Sequence, residues 1–489
     1  MSNSGIVSTP SGEPELALEP QASGDKTSSR KRVSRGGLRR RPLPPIPVLM
    51  LTAAVVLAPA PYGSRDGATV SFWCAWFAIT IALTPMTRQV LRAWPWLLGL
   101  VLLALSWLFV LHEQLADRPF IAEALPLWAE SRLLLGISLP DARTLLRGES
   151  FYALGVPLAM FCAFTAGFLA FGQGRHRDLL VRVFVISIAC YAAFGLLSTM
   201  IAPRMLLWQE RVAYIGAVTA TFVNSNTAAD FFSAGAIGWL VVLIRRQHRY
   251  LAQSGGRRRR GETRWMLRRR DMPAIASGLC CIFALLLTRS RLGVALGGMT
   301  LVATYLILDF RSSRMMRRLA FVAVAGLVLL QLVGSTLLER LDLLGLSDGG
   351  RIDTYRRTWV MIADHPWFGV GLGGFGAAFP RYRTDGQLWG IWDAAHSTPF
   401  ELAAEVGLPL AGLTILAWLA LLAGLAHRFL RSRERIAAMA LPIVLVGVLH
   451  SLGDFSLQIA GYSIPLMAFA GAALRAEIDE GAKTDLRQR

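Results

Sequence analysis

The sequence predicts an all-α, polytopic integral membrane protein with about 12 transmembrane helices. Of its 489 residues, 54% are hydrophobic and only 17% are charged, which is more apolar surface than a soluble domain of this length can bury. The apolar residues form separate runs, many of them close to the roughly 20 residues that cross a bilayer as a helix. Arginines crowd into every second connection between these runs, as the positive-inside rule requires.

The apolar runs divide the chain into a central membrane domain and two tails. Residues 1–45 are polar, rich in Ser, Pro and Gly, and end in basic clusters, so we predict a disordered basic cytoplasmic tail. Residues 46–476 form the transmembrane domain, and residues 477–489 form a cytoplasmic C-terminal tail. The predicted spans are 46–62, 68–86, 94–112, 151–172, 180–201, 227–244, 273–288, 292–309, 319–337, 399–426, 436–450 and 459–475.

The charges of the connections predict which side each one faces. With the N-terminus inside, every inner connection is strongly basic, whereas the outer ones are acidic, mixed or nearly uncharged. One missed helix would reverse this alternation downstream. The predicted inner connections are 87–92, 172–182, 245–272, 311–318 and 427–435. The predicted outer connections are 60–67, 113–150, 202–213, 288–291, 338–398 and 451–458.

Two of the outer connections are long enough to carry function. Residues 113–150 alternate apolar and charged residues, which predicts an amphipathic piece along the membrane interface. Residues 338–398, between the ninth and tenth spans, are rich in Trp, Tyr, Gly, Arg, Asp and His. Long ordered loops between spans are where binding and catalytic residues concentrate, so we expect the functional site there.

Several functional classes are excluded by composition and motif. The formal net charge of +19 would suit nucleic acid, but the arginines stand in short blocks between apolar runs, such as 257–260, so no nucleic-acid partner is predicted. All five cysteines lie inside apolar runs, so neither a disulfide framework nor a metal cluster is indicated. The glycine run 369–376 lacks a βαβ context, and we interpret it as a tight external turn. No cofactor is predicted.

Arginines on the outer side are the clearest candidates for substrate binding. Arg289 and Arg291 occupy the short turn 288–291. This turn is predicted to face outward, where the positive-inside rule does not favour basic residues. A planar guanidinium binds phosphate oxygens through two hydrogen bonds, so these residues suit a pyrophosphate. The alternative for any single arginine is that it reaches to the lipid headgroups. Five arginines of the large loop are further candidates: Arg351, Arg356, Arg357, Arg381 and Arg383.

His396 is the candidate base, because it lies where the large loop enters the next predicted helix. Ser397 or Thr398 is expected to cap that helix, which places the imidazole beside a helix N-terminus at the membrane surface. Glu405, two turns later, is a candidate to orient the ring. The alternative is that His396 is an ordinary polar cap. His365 precedes a proline and is interpreted as a turn residue. Asp230 and Asp454 are predicted at outer helix ends and are candidates because intramembrane carboxylates are costly.

Four stretches together resemble a known family. The large loop contains Gly350-Arg351-Ile352-Asp353, then the run 365–375, then His396-Ser397, with Ser at a position where many family members have Asn. This pattern is similar to the conserved region of the bacterial O-antigen ligase and polymerase superfamily. Three shorter elements agree in order: 222–226 with its asparagines, the turn 288–293 with Leu292 where Gly is common, and 450–455. The resemblance covers roughly residues 150–475.

The resemblance implies an inverting, metal-independent glycosyltransferase with a GT-C-like helical membrane fold. Its donor would be a glycan on undecaprenyl pyrophosphate, and its acceptor another glycan or the lipid A core. By this resemblance Arg291 and Arg351 would bind the pyrophosphate, and His396 would help activate or position the acceptor hydroxyl. Arg289 and Arg381 are further pyrophosphate candidates from the sequence pattern. Asn226 and Asp454 fall in family elements and are further candidates. The implied location is the bacterial inner membrane, with both termini cytoplasmic and the site periplasmic.

Three alternatives remain at the level of sequence. A ligase and a polymerase share these residues and differ only in the acceptor. A transporter or flippase for lipid-linked glycans would carry internal repeats and mid-membrane charges, and neither is apparent in the sequence. A non-catalytic scaffold of an export complex would have no need of outward arginines beside a histidine.

Overall fold

The structure is a computed structural model that describes residues 43–91, 93–138, 142–253, 268–308, 326, 348–383, 393–431 and 434–488. The side chains of residues 89, 91, 348–351 and 476–488 are outside the description. The predicted ninth span, 319–337, lies outside the described residues apart from Gly326, as does the predicted N-terminal tail apart from its last three residues. The described chain is mostly helical, as predicted.

The first half of the chain contains nine helices that we label α1 to α9 within the described ranges. They are α1 (Ile46–Leu57), α2 (Gly67–Ala82), α3 (Arg88–Leu91), α4 (Trp94–Leu115), α5 (Pro126–Leu135), α6 (Arg147–Ala153), α7 (Gly155–Ala170), α8 (Gly174–Ile201) and α9 (Ser225–Gln253). Between α8 and α9, two short antiparallel strands pair, β1 (Met205–Leu206) and β2 (Gln209–Glu210).

The second half of the described chain continues with α10 to α17. They are α10 (Met272–Leu287), α11 (Arg291–Leu308), α12 (Asp348–Asp364), α13 (Phe375–Ala378), α14 (Thr398–Val406), α15 (Leu408–Arg431), α16 (Arg435–His450) and α17 (Ala460–Gln488). Single 3-10 turns at Arg269–Asp271, Phe379–Tyr382 and Ser456–Gln458 connect some of these helices.

Seven helical segments in the described part of the chain are long and apolar enough to cross a membrane. They are α4, α6 with α7, α8, α9, the Arg269–Leu287 segment that contains α10, α11 and α15. Three apolar helices are shorter, namely α1, α2 and α16. The 12 residues of α1 rise only about 18 Å, less than the ~30 Å of a hydrocarbon core. The protein is therefore a multi-pass membrane protein, while the predicted number of spans stays a prediction.

The predicted span 399–426 is wrong in one respect, because two helices occupy it. α14 ends at Val406 and α15 begins at Leu408, with Gly407 between them at φ +82°. A Cβ at Gly407 would lie 2.2 Å from the carbonyl oxygen of Trp367. Only glycine permits so close a backbone approach. The backbone at Trp367, in the loop before α13, therefore packs against Gly407, and the helix is interrupted at this residue. α14 consequently lies outside the candidate span.

Two apolar cores are separated along the bundle. The larger core joins α1, α2, α7, α8, α9, α10, α16 and α17. α7 and α17 approach closely because both present glycine: a Cβ at Gly167 would lie 2.2 Å from the carbonyl oxygen of Ala468. The smaller core joins the last turns of α4, helix α12, the segment 370–379, α14 and the start of α15. This second core builds an ordered layer from the two long connections predicted to be external.

Ion pairs at one end of the bundle join segments that were predicted to face inward. Arg177 Nη2 lies 3.0 Å from Glu434 Oε1, and Arg428 Nη2 lies 3.4 Å from the other oxygen of the same carboxylate. Arg246 Nη1 lies 3.3 Å from Asp271 Oδ1. The contacts of the candidate site, described below, join connections predicted to face outward and the adjacent ends of their helices. The sorting of connections into two ends is therefore consistent with the predicted alternation.

Candidate functional site: a histidine and an arginine turn on one shared segment

The turn between α10 and α11 presents two arginines outward. Arg289 has φ +59°, a left-handed conformation that costs about 1 kcal/mol or more in a non-glycine residue. Arg289 and Arg291 are exposed, whereas Ser290 between them is buried. Ser290 Oγ accepts a hydrogen bond from the Gly293 N–H at 3.2 Å, which caps the first turn of α11. The buried Ser290 side chain thus fixes the backbone of the turn, while the guanidinium groups of Arg289 and Arg291 stay accessible.

This arginine turn packs directly onto the outer end of α16. A Cβ at Gly293 would lie 3.3 Å from His450 Cε1 and 2.5 Å from Ala229 Cβ. Leu292 Cδ2 lies 3.0 Å from where a Cβ on Gly453 would be. Leucine at position 292, where the resembled family often has glycine, therefore fills the space over Gly453. The small residues at 293 and 453 let the turn and the segment 450–455 meet at close range.

His450 is held in that segment by a buried carboxylate. His450 Nδ1 lies 2.5 Å from Asp230 Oδ1, and the two residues are 1% and 0% exposed. Asp230 is on the second turn of α9, so the pair joins α9 to α16 at the same end of the bundle. Asp454 is also buried, and Ser456 Oγ lies 3.4 Å from its Oδ2. Of the two carboxylate candidates, Asp454 thus belongs to the segment 450–455 and Asp230 is bonded to its first residue.

The segment that carries His396 is also bonded to residues 450–455. The Thr398 N–H donates to the carbonyl oxygens of Ser451 at 2.9 Å and Asp454 at 3.3 Å. Thr398 Oγ1 also donates to the Asp454 carbonyl oxygen, at 3.1 Å. The His396 ring lies 5.7 Å from the Phe455 ring, centroid to centroid. The segment 450–455 therefore contacts both the arginine turn and the segment that carries His396.

The backbone of His396 is itself fixed in an uncommon conformation. His396 has φ +52°, and the Tyr355 hydroxyl donates to its carbonyl oxygen at 3.0 Å. Glu401 Oε2 accepts the Ala395 N–H at 2.7 Å. The predicted capping is wrong in detail: Ser397 occupies the cap position but its side chain makes no capping bond, and the Thr398 hydroxyl bonds to Asp454 of the neighbouring segment. The half-buried ring is positioned by its backbone.

Glu405, on α14, is hydrogen-bonded to the glycine run 369–376. Glu405 Oε1 accepts the Phe375 N–H at 3.1 Å, and the Glu405 carbonyl oxygen accepts the Gly371 N–H at 3.1 Å. Gly369, Gly371 and Gly373 all have positive φ, so the prediction of a tight turn is confirmed. Burial raises the pKa of the Glu405 carboxyl, and burial together with the neighbouring Glu405 raises that of Glu401. The contacts of Glu405 hold the loop against α14.

Gln114 and Arg143 complete this layer and were not found by sequence reasoning. Gln114 Nε2 donates to the carbonyl oxygens of Phe368 and Glu405 at 2.7 and 2.8 Å. Arg143 Nη2 lies 3.2 Å from His365 Nδ1, and burial with the adjacent Arg143 charge lowers the pKa of His365. These contacts support the interpretation of His365 as a turn residue. A glutamine at a helix end and an arginine in a mixed segment carry no sequence signal for such contacts.

The remaining candidates are placed as follows. Arg351 is on the first turn of α12, one turn before Tyr355, and its side chain lies outside the described residues. Arg381 is exposed on a 3-10 turn, near enough to His365 to lower its pKa. The Asn226 N–H donates to Asn224 Oδ1 at 2.8 Å, so the neighbouring Asn224 caps α9. The described contacts thus join the Arg289 and Arg291 turn to His396 through residues 450–455.

Residues 276–415 match the family model described as O-antigen ligase. This match confirms the resemblance to the O-antigen ligase and polymerase superfamily that the sequence motifs indicated. The matched range begins within α10, contains the arginine turn, the large loop and α14, and ends within α15. No curated protein matches the chain.

Proposed function

We propose that this chain, whose residues 276–415 carry the O-antigen ligase domain, is a glycosyltransferase that uses a lipid-linked glycan. Its donor is a glycan on undecaprenyl pyrophosphate, and the reaction takes place at the periplasmic face of the bacterial inner membrane. One observation carries the proposal: the arginine turn and His396, more than 100 positions apart in the sequence, both pack on the segment 450–455.

The arginines act on the leaving group. As the bond between the anomeric carbon and the phosphate oxygen breaks, the electron pair stays with the pyrophosphate, which becomes more anionic. Fixed guanidinium groups stabilise that charge more in the transition state than in the ground state, which is the condition for catalysis. Arg291 and Arg351 are the proposed primary ligands, with Arg289 and Arg381 as neighbours. Because arginines neutralise this charge, the proposed reaction needs no metal ion and no cofactor.

His396 acts on the acceptor. The acceptor hydroxyl attacks the anomeric carbon from the face opposite the pyrophosphate, which inverts the configuration at that carbon. The hydroxyl proton passes to the imidazole, since histidine is the side chain that most often serves as a general base. The positive φ of His396 and the bond from Tyr355 to its carbonyl oxygen fix the direction in which the ring leaves the backbone. Glu405 and Gln114 contribute by holding the glycine run against α14.

The acceptor distinguishes two versions of this function. In a ligase it is the lipid A core, and in a polymerase it is another lipid-linked glycan. The competing proposal of a transporter or flippase for lipid-linked glycans receives less support, because the exposed arginines and His396 gather at one end of the described bundle. A transporter site is expected near mid-membrane.

Deletion of the gene, followed by complementation, tests the function. We expect the surface polysaccharide ladder to change in one of three ways: loss of all chains on lipid A indicates a ligase, single-unit chains indicate a polymerase, and loss of a secreted polymer indicates an exopolysaccharide role. Complementation with His396→Ala should fail, although the variant protein inserts normally. Loss of the ladder in the deletion strain, with lipid-linked glycans confined to the cytoplasmic leaflet, would favour the transporter, and a wild-type ladder would contradict both proposals.

A further inference from the structure

Arginines from three different helices converge at the end of the bundle that is predicted to face inward. Arg182 is on α8, Arg246 and Arg249 are on α9, and Arg435 is the first residue of α16. α16 packs against both α8 and α9. The ion pair between Arg435 Nη2 and Asp178 Oδ1, 3.8 Å apart, joins α16 to α8 one turn before Arg182. We call these four arginines the basic cluster.

The members of the basic cluster lie close enough to act on one another electrostatically. Burial lowers the pKa of Arg435, and the positive charges of the other three members lower it further, against the opposing effect of Asp178. Among the described residues, the cluster pairs with Asp178 and with Asp271, whose Oδ1 lies 3.3 Å from Arg246 Nη1. Four guanidinium groups beside two carboxylates leave an excess of positive charge, which is unfavourable where the groups are partly removed from water.

Tyr250 holds two further arginines beside the basic cluster. The guanidinium carbons of Arg268 and Arg270 each lie 4.4 Å from the centre of the Tyr250 ring, within the range of a cation–π interaction. The Tyr250 hydroxyl donates at 3.2 Å to Asp271 Oδ1, the same oxygen that Arg246 contacts. Arg268 and Arg270 are exposed, so they add accessible positive charge at this end of the bundle.

The position of the basic cluster along its helices matches the depth of lipid head groups. α8 has 28 residues and α9 has 29, so each rises about 42 Å, more than the ~30 Å of a hydrocarbon core. Their basic ends therefore extend past the acyl chains, and Arg435 stands at the start of the apolar helix α16. The positive-inside rule accounts for arginines in each connection, but it does not require arginines of different connections to converge.

We propose that the basic cluster binds the phosphate head group of an acidic phospholipid of the cytoplasmic leaflet. A phosphate among these guanidinium groups offsets their mutual repulsion, and each planar guanidinium can bind two phosphate oxygens. Basic pockets between transmembrane helices recognise acidic lipids through the same charge complementarity. The bound lipid joins α8, α9 and α16, so it stabilises this end of the bundle. A soluble phosphate compound is the competing occupant.

Retention of lipid by the purified protein tests the inference. The protein is equilibrated with detergent micelles that contain equal amounts of phosphatidylglycerol and phosphatidylcholine, and the bound lipids are counted by native mass spectrometry. We expect the wild type to retain phosphatidylglycerol in preference, and Arg435→Gln to weaken that retention by about fivefold. Arg182→Gln, at an exposed position, should cause a similar loss even if Arg435→Gln folds poorly. Arg88→Gln changes an exposed arginine of another predicted inner connection, and this matched control should bind as the wild type does.

Three other outcomes would overturn the inference. Equal retention of the two lipids by the wild type would show that the cluster does not select an acidic head group. Equal losses in Arg88→Gln and in the cluster variants would reduce the cluster to ordinary surface charge. Displacement of phosphatidylglycerol by inorganic phosphate at the same concentration would identify a site for soluble anions. None of these measurements involves glycan transfer, so the proposed function is tested separately.

Discussion

Asp230 Oδ1 and His450 Nδ1 lie 2.5 Å apart, between two side chains that are almost completely buried. The pair ties the start of α9 to the end of α16, at the first residue of the segment 450–455 that contacts both the arginine turn and the His396 segment. Removal of one partner from a buried pair costs about 3–5 kcal/mol, because it leaves the other group buried without compensation. The pair therefore fixes the platform on which the site is assembled.

Replacement of this carboxylate should damage both stability and activity. We expect Asp230→Ala to lower the unfolding temperature in detergent and to reduce glycan transfer at least tenfold. Asp230→Asn, which retains an oxygen acceptor, should be milder in both. Ser233→Ala is the matched control, since Ser233 is buried one turn further along α9. An Asp230→Ala protein with the stability and activity of Ser233→Ala would show that the pair does not hold the platform.

Substitution of Gly407 by alanine, which adds a single methyl group, should destabilise the layer formed by the two long connections. Alanine at φ +82° is strained, and its Cβ would overlap the Trp367 carbonyl oxygen. We expect Gly407→Ala to lower the unfolding temperature by several degrees, equivalent to about 2 kcal/mol or more. Gly412→Ala on α15, where a Cβ meets nothing within 4 Å, should have little effect or stabilise the helix. Equal unfolding temperatures for the two variants would contradict the close approach.

The pair of Arg143 and His365 should make the external layer sensitive to acid. Burial, aided by Arg143, lowers the pKa of His365, so the folded protein holds the neutral imidazole more strongly than the unfolded chain does. This contribution to stability is present above the ordinary histidine pKa and is lost as the pH falls below it. We expect the unfolding temperature to drop between pH 7.5 and 5.5 by more in the wild type than in His365→Gln. An equal fall in unfolding temperature for the two proteins would show that His365 does not contribute to the acid sensitivity.

The arginine turn should require guanidinium groups and not merely positive charge. Arg291→Lys keeps the charge but loses the planar fork that binds two phosphate oxygens, so we expect kcat/KM for the donor to fall by about tenfold or more, a loss of ~1.4 kcal/mol in transition-state binding. Arg175→Lys, at the opposite end of the bundle on the first turn of α8, is the control. Steady-state transfer kinetics at varied donor concentration distinguish the two. Equal kinetics for both variants would leave Arg291 as an ordinary surface residue.

The sequence was sufficient for features that depend on local pattern. The periodic apolar runs predict helices at most of the described spans, and three of the predicted basic connections, 172–182, 245–272 and 427–435, lie close together. The turn 288–291 stands out in the sequence because its two arginines run against the positive-inside rule. The glycine run 369–376 was recognised as a turn, and its positive φ values follow from the freedom of glycine.

Features that depend on contacts distant in sequence could not be predicted. The break at Gly407 requires knowledge that Trp367 presses against it, and without that contact 399–426 has the composition of one span. Glu405 was selected for its spacing from His396, but its bonds go to Phe375 and Gly371. The partnership of Asp230 with His450 spans 220 positions, and periodicity carries no information at that range.

The most direct test of the account is single-turnover transfer of a labelled glycan from undecaprenyl pyrophosphate by the purified protein. The account predicts that His396→Ala lowers the rate at least 100-fold, within the range for loss of a general base, while His365→Gln stays within a fewfold of the wild type. Binding of the donor should be nearly the same in all three proteins. A His396→Ala protein that transfers the glycan at the wild-type rate would contradict the central claim that this imidazole activates the acceptor.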